Sequence, residues 1–567
     1  MNKKFKIRIE KKSRAFPEYK LEIIKLKKGY ISQTIGDAWK IWNNYRSVII
    51  HCQTGSGKTT FVEDVLVKDA IEKGKKIIIV SNRIMLSMAN QKRLLDKYGI
   101  KNNGRVSGDN VEYFLNPNIV VTTYQKLSSM LNHFDGKDFE YAVFDEAHYF
   151  TCDSTFSPLT GTLLNAIPYK FSNSKRIYIS ATPEEVIPHI VKAETAPTAV
   201  ARYNVYRTTN SVSWHINQHN YEDYVKAKVN ENYYASNKPL PVVYQCKENF
   251  KNLNLKFFEN FESLKEKIIS SKGKWVIFVT SKKFGKDLQQ QMQNSIYIDA
   301  DTKENNPEFF TELVEKESFK EKILITTSVF INGNNLKDDT VKNIVIFNTD
   351  ICDIKQAIGR KRLSENETVN VYLNIPNKQE LSYKILENYA ILDIYNKSKK
   401  APVELYEYIL SDDEKRSKLR KILYSTKNGP YKFNLLAIYQ LQNEVIYLES
   451  VKQMIEQNKL KYCKHIAKSF SLPFKKSMTE LLIDGRAVIE KKLDEFVKAS
   501  PVEEEEFLKI SEEISDLRKK FGFISKSDNL GSERAPLKHN AFNKRLEEFN
   551  FQYKVEKIDK KYFCQKE

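Results

Sequence analysis

HCQTGSGKTT, residues 51–60, is the stretch from which the interpretation of this chain starts. The apolar run SVII precedes it, and a segment with helical patterning, FVEDVLVKDAIEKGKK, follows it. A strand, a glycine loop and a helix N-terminus in this order are typical of a phosphate-binding loop. The usual pattern G-x-x-x-x-G-K-[ST] has a glycine where this chain has Cys52. The alternative is a chance match, a glycine turn with a surface lysine.

The residue types of this loop are those that bind a nucleoside triphosphate. Glycines allow backbone N–H groups to turn inward around phosphate oxygens, and Lys58 is placed to reach the β- and γ-phosphates. The hydroxyl of Thr59 is a typical ligand for Mg²⁺ in such loops. The sequence therefore predicts nucleotide contacts from Thr54, Gly55, Ser56, Gly57, Lys58, Thr59 and Thr60.

A second acidic motif, YAVFDEAH (141–148), follows an apolar run. Asp145 is predicted as the second Mg²⁺ ligand beside Thr59, and Glu146 as the group that accepts a proton from the attacking water. Asp-Glu pairs are common at ordinary turns, so the pair alone is weak evidence for a hydrolase. Its place after a predicted buried strand makes that interpretation stronger. Together the two motifs predict a nucleotide hydrolase that uses Mg²⁺.

Composition limits the class of protein. The chain has 567 residues and a formal net charge of +20, which favours a polyanionic partner such as nucleic acid or simply keeps the protein in solution. Six cysteines without a C-x-x-C pair indicate no disulfide framework, so a reduced, cytoplasmic setting is expected. The sequence has neither a signal peptide nor an apolar run of about 18 residues, and no membrane association is expected.

The pattern of apolar runs predicts an α/β fold. Short β-forming runs alternate with helix-length segments first up to about residue 195 and again after about residue 272, which favours two parallel sheets covered on both faces. The later part of the chain has helical periodicity. The predicted division is a basic N-terminal segment (1–28), a first α/β domain (29–195), a second α/β domain (196–385) and a mainly helical region that could bind nucleic acid (386–567).

TGSGKT followed by DEAH resembles motifs I and II of superfamily 2 helicases of the DExH type. In that superfamily the first glycine of the loop is often another small residue, which would account for Cys52. SNRIMLSMA (81–89) is similar to motif Ia, VTTYQKL (121–127) to motif Ib and SAT (180–182) to motif III. The resemblance implies nucleic-acid contacts from Arg83, Thr122 and Thr123.

The second half continues the resemblance. VIFVTSKK (276–283), TTSVFINGNNL (326–336) and QAIGRKR (356–362) are similar to motifs IV, V and VI. The resemblance implies that an arginine of motif VI reaches the γ-phosphate, and Leu363 occupies the position where the commonest pattern has that arginine. The arginine that would reach the γ-phosphate is therefore Arg362 or, as the alternative, Arg360. The remaining implied residues are Gln356 for catalysis, Gly333 and Asn335 for the nucleotide, and Ser281 and Thr327 for nucleic acid.

The resemblance implies two tandem RecA-like domains that hydrolyse ATP between them and act as a helicase or translocase. DNA is favoured over RNA because the motif VI variant resembles that of phage and mobile-element helicases, which would act in replication or repair and, for a phage protein, in the host cytoplasm. An ATP-driven switch that never separates strands is the alternative. The last stretch, 539–563, predicts a helix followed by strands, similar to a small winged-helix module.

Overall fold

The structure is a computed structural model, and it describes most of the chain. The described residues are 21–27, 30–82, 93–94, 96–98, 118–130, 136–195, 239–246, 248–299, 302, 313, 316–327, 336–363, 367–398, 418–425, 431–479, 481–482, 485–520, 523 and 537–567. The chain forms two units. The first comprises Met1–Lys256 and Ile268–Met478, and the second Phe257–Lys267 and Thr479–Glu567.

A seven-stranded parallel sheet is the centre of the first lobe of unit one. Its order is β1-β7-β2-β6-β5-β3-β4. The strands are β1 (Glu22–Leu26), β2 (Val48–His51), β3 (Lys76–Ser81), β4 (Ile119–Thr123), β5 (Phe139–Asp145), β6 (Lys175–Ser180) and β7 (Val242–Cys246). The inner strands are apolar on both faces, as a sheet covered by helices on both sides requires.

Membership of this sheet differs from the predicted division. The interval 29–195 was expected to contain the first α/β domain, but β1 lies before it and β7 lies well after it. Both strands pair in parallel with neighbours of the first sheet, β1 with β7 and β7 with β2. The prediction missed them because two short runs separated by more than 200 residues give no local signal of their pairing. The N-terminal stretch KFKIRIEKK (4–12), whose alternation of apolar and basic residues also favours a short strand, lies outside the described residues.

The second lobe of unit one is built on a six-stranded sheet of order β10-β11-β9-β12-β13-β8. The pairs β10–β11, β11–β9, β9–β12 and β12–β13 are parallel. The strands are β8 (Leu253–Phe258), β9 (Lys274–Phe278), β10 (Ser295–Ile298), β11 (Ile323–Thr326), β12 (Val341–Ile346) and β13 (Val369–Asn374). Two parallel sheets of this kind are the tandem RecA-like architecture that the sequence predicted.

Helices cover both sheets and make up much of the tail. In the first lobe they are α1 (Ile31–Ile35), α2 (the contiguous segments Lys58–Phe61, Val62–Val67 and Lys68–Glu72), α3 (Tyr124–Met130), α4 (Tyr149–Cys152), α5 (Thr160–Lys170) and α6 (Ile187–Thr195). Further along are α7 (Phe261–Ser270), α8 (Lys282–Gln291), α9 (Ile351–Arg360), α10 (Lys378–Ser398), α11 (Leu435–Gln457) and α12 (Lys459–Ser469). Among the helices that the structure describes, none is long and apolar enough to cross a bilayer.

Besides most of α7, the described residues of the second unit include three helices and a hairpin that share one core. The elements are α13 (Gly485–Ala499), α14 (Glu504–Lys520), α15 (His539–Glu548), β16 (Tyr553–Ile558) and β17 (Lys561–Lys566). A bridge from Val502 to Tyr562 adds a third, minimal strand. The helix followed by strands that the sequence predicts for residues 539–563 is present as α15, β16 and β17. The tail is mainly helical, as predicted, and it also contains a short hairpin of β14 (Leu423–Ser425) and β15 (Tyr431–Phe433).

Candidate functional site

The loop between β2 and α2 has the conformation that a phosphate loop needs. Gly55 and Gly57 have φ of 89° and 82°, in the left-handed region that favours glycine. Gly57 is the N-cap of α2, so the free N–H groups of the first turn face the loop. Tyr30 packs on Gly57, because a Cβ at Gly57 would lie 2.9 Å from the Tyr30 ring. The backbone N–H of Ile31 donates to the Ser56 carbonyl over 3.0 Å.

Lys58 and Asp145 line the same small cavity beneath this loop. The Lys58 ammonium donates to the Cys52 carbonyl over 2.7 Å. Burial lowers the pKa of Lys58 from its ordinary value, although the carboxylates of Glu146 and Asp145 oppose this. Burial and the neighbouring Glu146 raise the pKa of Asp145 to about 7. Burial disfavours the charged forms of Lys58 and Asp145 alike, so a charged ligand bound beside them would favour their ionisation.

Glu146 has φ of 52°, an unusual conformation for a residue with a side chain. Its N–H donates to the Asp145 carboxylate over 3.0 Å, which fixes the turn after β5. One Glu146 carboxylate oxygen lies 3.9 Å from the Arg360 guanidinium. Burial opposes ionisation of Glu146, but the neighbouring cations Lys58, Arg360 and Arg362 bring its pKa below the ordinary value. Glu146 is therefore ionised at neutral pH and able to accept a proton.

His148 joins three of the predicted motifs through its ring. Its Nε2 accepts from the Gln356 amide over 3.0 Å, and its Nδ1 donates to the Ser180 hydroxyl over 3.1 Å. Burial lowers the pKa of His148 from its ordinary value, so the ring is neutral and can do both. The Ser180 hydroxyl also accepts from the Thr182 N–H over 3.1 Å. The sequence predicted Gln356 as a site residue but gave no sign that His148 contacts it.

Helix α9 packs against the phosphate loop. A Cβ at Gly359 would lie 2.8 Å from the Thr54 hydroxyl, and a Cβ at Gly55 would lie 3.2 Å from the Arg362 guanidinium. The Arg362 Nη1 and the Arg360 Nε are buried without a hydrogen-bond partner among the described residues. Burial lowers the pKa of Arg362 to about 10. Two arginine side chains thus bring unsatisfied N–H donors to the surroundings of the loop and of Glu146.

The first position of the loop is covalently tied. Cys52 and Cys246 form a disulfide with a Cα–Cα distance of 4.9 Å, across a sequence separation of 194 residues. The expectation that no cysteines pair was therefore wrong for these two. The reason is the sheet register, because β2 and β7 pair with His51 level with Gln245, so the next residue of each strand is also level. Cys52 replaces the expected glycine and anchors the loop to β7.

The connector that leaves β7 is also held at the loop. The Gln53 amide accepts from the Asn249 N–H over 2.6 Å and donates to the Asn249 carbonyl over 3.3 Å. Glu248 accepts from the Lys355 ammonium of α9, with both oxygens at 2.8 Å. Sequence inspection missed these residues. The only available signal was Gln53 inside the loop, and no motif marks its partner.

A group of carboxyls lies where α9 begins. Burial raises the pKa of Asp353 to about 7, with Asp350 contributing, and burial likewise raises the pKa of Glu185, which follows motif III, to about 7. Nearby, the thiols of Cys152 and Cys352 are hydrogen-bonded to each other. These groups were not predicted as site residues. They show that α9 meets the first lobe through buried polar contacts as well as through the loop.

The predicted nucleic-acid contacts are more scattered. Thr123 and Ser281 cap helices, since their hydroxyls accept from the Lys126 and Phe284 N–H groups respectively. Thr122 and Thr327 are buried, and the Thr122 hydroxyl has no partner among the described residues. Three further predicted residues, Arg83, Gly333 and Asn335, lie outside the described residues. Thr60 is exposed at the first turn of α2.

Comparison with known proteins supports the resemblance to superfamily 2 helicases. Residues 36–190 match the family model of DEAD/DEAH box helicases. A probable ATP-dependent helicase of Methanocaldococcus jannaschii is 30% identical over 150 residues, a match that covers 24% of this chain and 18% of that relative. The chain thus spans less than a fifth of that relative's length.

Solved structures similar to the chain include two complexes with nucleic acid. Saccharomyces cerevisiae Dbp5 bound to RNA and ADP BeF3 is 15% identical, with a TM-score of 0.39 over 58% of this chain and 79% of that one. Mycobacterium smegmatis Lhr bound to single-stranded DNA and AMP-PNP is 14% identical, with a TM-score of 0.41 over 66% of this chain and 48% of that one.

Proposed function

We propose that this protein is an ATP-dependent nucleic-acid helicase or translocase that hydrolyses ATP between its two RecA-like lobes. One observation supports it above the others: Lys58 and Glu146 of the first lobe lie beside Arg360 and Arg362 of the second. Nucleotide binding by the first lobe alone would require Lys58 and Glu146 but neither arginine. In many enzymes of phosphoryl transfer, an arginine from another lobe or subunit stabilises negative charge in the transition state.

The residues present fit ATP with Mg²⁺. The left-handed glycines aim backbone N–H groups into the loop, and the unsatisfied guanidinium atoms of Arg360 and Arg362 supply donors for phosphate oxygens. Thr59 and Asp145 are the groups that would hold Mg²⁺. A bound Mg²⁺ would neutralise charge on the phosphates during hydrolysis. Its positive charge would also favour the ionised form of Asp145, whose pKa burial holds near 7.

Each of the other residues has a distinct role in this proposal. Glu146, ionised and buried, accepts the proton of the attacking water. The hydrogen bond between Gln356 and His148 connects α9 of the second lobe to the DEAH turn of the first. A movement of either lobe would therefore shift the groups of the other. Arg362, which lies on the loop at Gly55, is assigned as the arginine finger, and Arg360 as the partner that orients Glu146.

Nucleic acid is the proposed partner of the two lobes. The net charge of +20 supplies electrostatic attraction to phosphates, so binding should weaken steeply with salt. DNA is preferred over RNA, and a role in replication or repair is favoured, because QAIGRKR resembles motif VI of phage and mobile-element helicases of the DExH type. Arg83, Thr122, Thr123, Ser281 and Thr327 remain the proposed contacts on the lobes.

The decisive experiment measures ATP hydrolysis and strand displacement side by side. Hydrolysis is assayed alone and with single-stranded DNA, duplex DNA and single-stranded RNA, and displacement is assayed on a forked duplex. We expect stimulation by single-stranded DNA and ATP-dependent displacement. Stimulation without displacement would favour an ATP-driven switch or remodeller. Hydrolysis that no nucleic acid changes would contradict both.

A further inference from the structure

Two thiols from different lobes meet beside the DEAH turn. Cys152 is the last residue of α4, which directly follows that turn, and Cys352 lies in the first turn of α9. The two thiols are hydrogen-bonded to each other, and neither is part of the Cys52–Cys246 bridge. Because the two cysteines are far apart in the chain, their contact depends on the packing of α9 of the second lobe against α4 of the first.

Hydrogen bonds hold both cysteines at this junction. The Gln356 amide donates to the Cys352 sulfur over 3.3 Å, and the Thr182 hydroxyl lies 2.8 Å from the same sulfur. The Cys152 N–H donates to the His148 carbonyl over 2.9 Å, which ties Cys152 to the DEAH turn. The thiol pair is therefore in contact with the segments similar to motifs II, III and VI, which surround the candidate ATP site.

The two thiols differ in how readily they ionise. Both cysteines are partly exposed, so a small oxidant can reach them. The hydrogen bond from Cys352 works to lower the pKa of the Cys152 thiol, but burial of the sulfur raises it above the ordinary value. The same hydrogen bond and burial both raise the pKa of Cys352, well above its ordinary value. Because the thiolate is the nucleophile, Cys152 attacks an oxidant first, and the attack is slow at neutral pH.

We propose that excess hydrogen peroxide links Cys152 and Cys352 in a disulfide, and that this cross-link holds the two lobes together and stops ATP turnover. The Cys152 thiolate attacks one peroxide oxygen, the O–O bond breaks, and the released hydroxide takes up a proton to become water. The Cys352 sulfur then attacks the sulfur of the Cys152 sulfenic acid. The S–S bond forms, the S–O bond breaks, and the leaving hydroxide takes the Cys352 proton as a second water. Two thiols are thus oxidised, and one peroxide is reduced to two waters.

The cross-link joins the helix that follows the DEAH turn to the helix that carries the motif VI arginines. The lobes already meet in this structure, because Gly359 lies against Thr54 and Arg360 lies beside Glu146. Exchange of ATP and ADP in a cleft between two lobes requires such contacts to open, and product release often limits turnover in enzymes that close over their substrates. The formation of the cross-link does not depend on the proposed function, whereas its effect on turnover rests on it.

The test treats the full-length protein with excess hydrogen peroxide, removes the peroxide with catalase, blocks free thiols and maps disulfides by mass spectrometry without reductant. We expect a linked Cys152–Cys352 peptide from the wild type and none from Cys152→Ser or Cys352→Ser. Steady-state ATP hydrolysis and the release of N-methylanthraniloyl-ADP should both slow at least about tenfold in the treated wild type, and dithiothreitol should restore them. Treated Cys152→Ser should stay within about twofold of its own untreated sample.

Cys564→Ser is the matched control, since Cys564 is a free cysteine in the core of the second unit, and it should respond to peroxide as the wild type does. Cys152→Ser retains the Cys52–Cys246 bridge, so a response to dithiothreitol that it shares with the wild type belongs to that bridge. Absence of the linked peptide, a link between two copies of the chain, or full turnover in a cross-linked sample would overturn the proposal. A linked peptide from a wild type that hydrolyses no ATP before treatment would instead contradict the proposed function.

Discussion

Gly359 of α9 lies directly against Thr54 of the phosphate loop, so closely that a Cβ at Gly359 would lie 2.8 Å from the Thr54 Cβ and hydroxyl. Only a residue without a side chain fits at this distance. The contact joins the helix that carries the motif VI arginines to the loop that would hold the phosphates. Catalytic geometry at the cleft therefore depends on a glycine that does no chemistry.

Gly359→Ala tests this contact. The added methyl group would force α9 away from Thr54, at a cost of about 1–3 kcal/mol for an overpacked site, and would displace the arginines that follow. We expect kcat for ATP hydrolysis to fall at least about tenfold. Gly161→Ala is the control, because its nearest atom would be at an ordinary 3.4 Å. Wild-type kcat from Gly359→Ala would show that the lobes need not approach this closely.

Lys58→Ala should remove ATP hydrolysis. The buried ammonium is the cationic group of the phosphate loop, and its charge lies beside the acidic pair Asp145 and Glu146. Turnover is expected to fall by about 10²-fold or more, while binding of single-stranded DNA, measured by fluorescence anisotropy, stays close to wild type. Lys68→Ala is a matched control in the same helix, since Lys68 makes only an exposed pair with Glu72. Wild-type turnover from Lys58→Ala would refute the site assignment.

Arg362→Ala should lower kcat by about 10³-fold or more, as expected for an arginine finger. Arg362→Lys should not restore it, because a lysine lacks the planar pair of donors. Arg420→Ala, at an exposed arginine, serves as the control. If Arg360→Ala has the larger effect and Arg362→Ala a small one, the two roles are exchanged. Single-turnover measurement of ATP cleavage separates this effect from nucleotide affinity.

The Cys52–Cys246 bridge should be detectable by peptide mapping without reductant. It closes a loop of 194 residues, and disulfides typically contribute about 2–4 kcal/mol to stability. Dithiothreitol should therefore lower the Tm of the wild type and leave the Tm of Cys52→Ser unchanged. Cys463→Ser, at a buried free cysteine, should keep the dithiothreitol response. Absence of a linked peptide from protein purified without reductant would contradict the pairing.

The carboxyl of Asp353 should make stability depend on pH near neutrality. Burial raises its pKa to about 7 in the folded protein, above the ordinary value of about 3.8, so the folded state holds this proton more tightly than the unfolded state does. Its contribution is complete below the unfolded pKa and is lost as pH rises through about 7. Asp353→Asn should reduce the fall in Tm between about pH 5 and pH 7.

Asp393→Asn is the control for this titration, because Asp393 only pairs with exposed Lys397 on α10. An equal fall in Tm for Asp353→Asn and the wild type would show that the proton resides elsewhere. Glu185, whose pKa burial also raises to about 7, would then be the group to replace.

The sequence by itself predicted the two parallel sheets and many residues of the candidate site. The deciding patterns are local ones, namely HCQTGSGKTT, YAVFDEAH and QAIGRKR. Each lies next to apolar or helical periodicity that predicts its strand or helix, because side-chain periodicity follows backbone geometry. The loop glycines, Lys58 and the acidic pair could therefore be named in advance, as could the approach of motif VI arginines.

Only the tertiary structure decided which groups meet. The sheet order places β7 beside β2, and this alone brings Cys246 to Cys52 and the connector to Gln53. The packing of α9 likewise sets Arg362 on the loop and Arg360 beside Glu146, a choice that the spacing around Leu363 left open. Contacts across nearly 200 residues depend on strand order and register, and no local pattern encodes either of them.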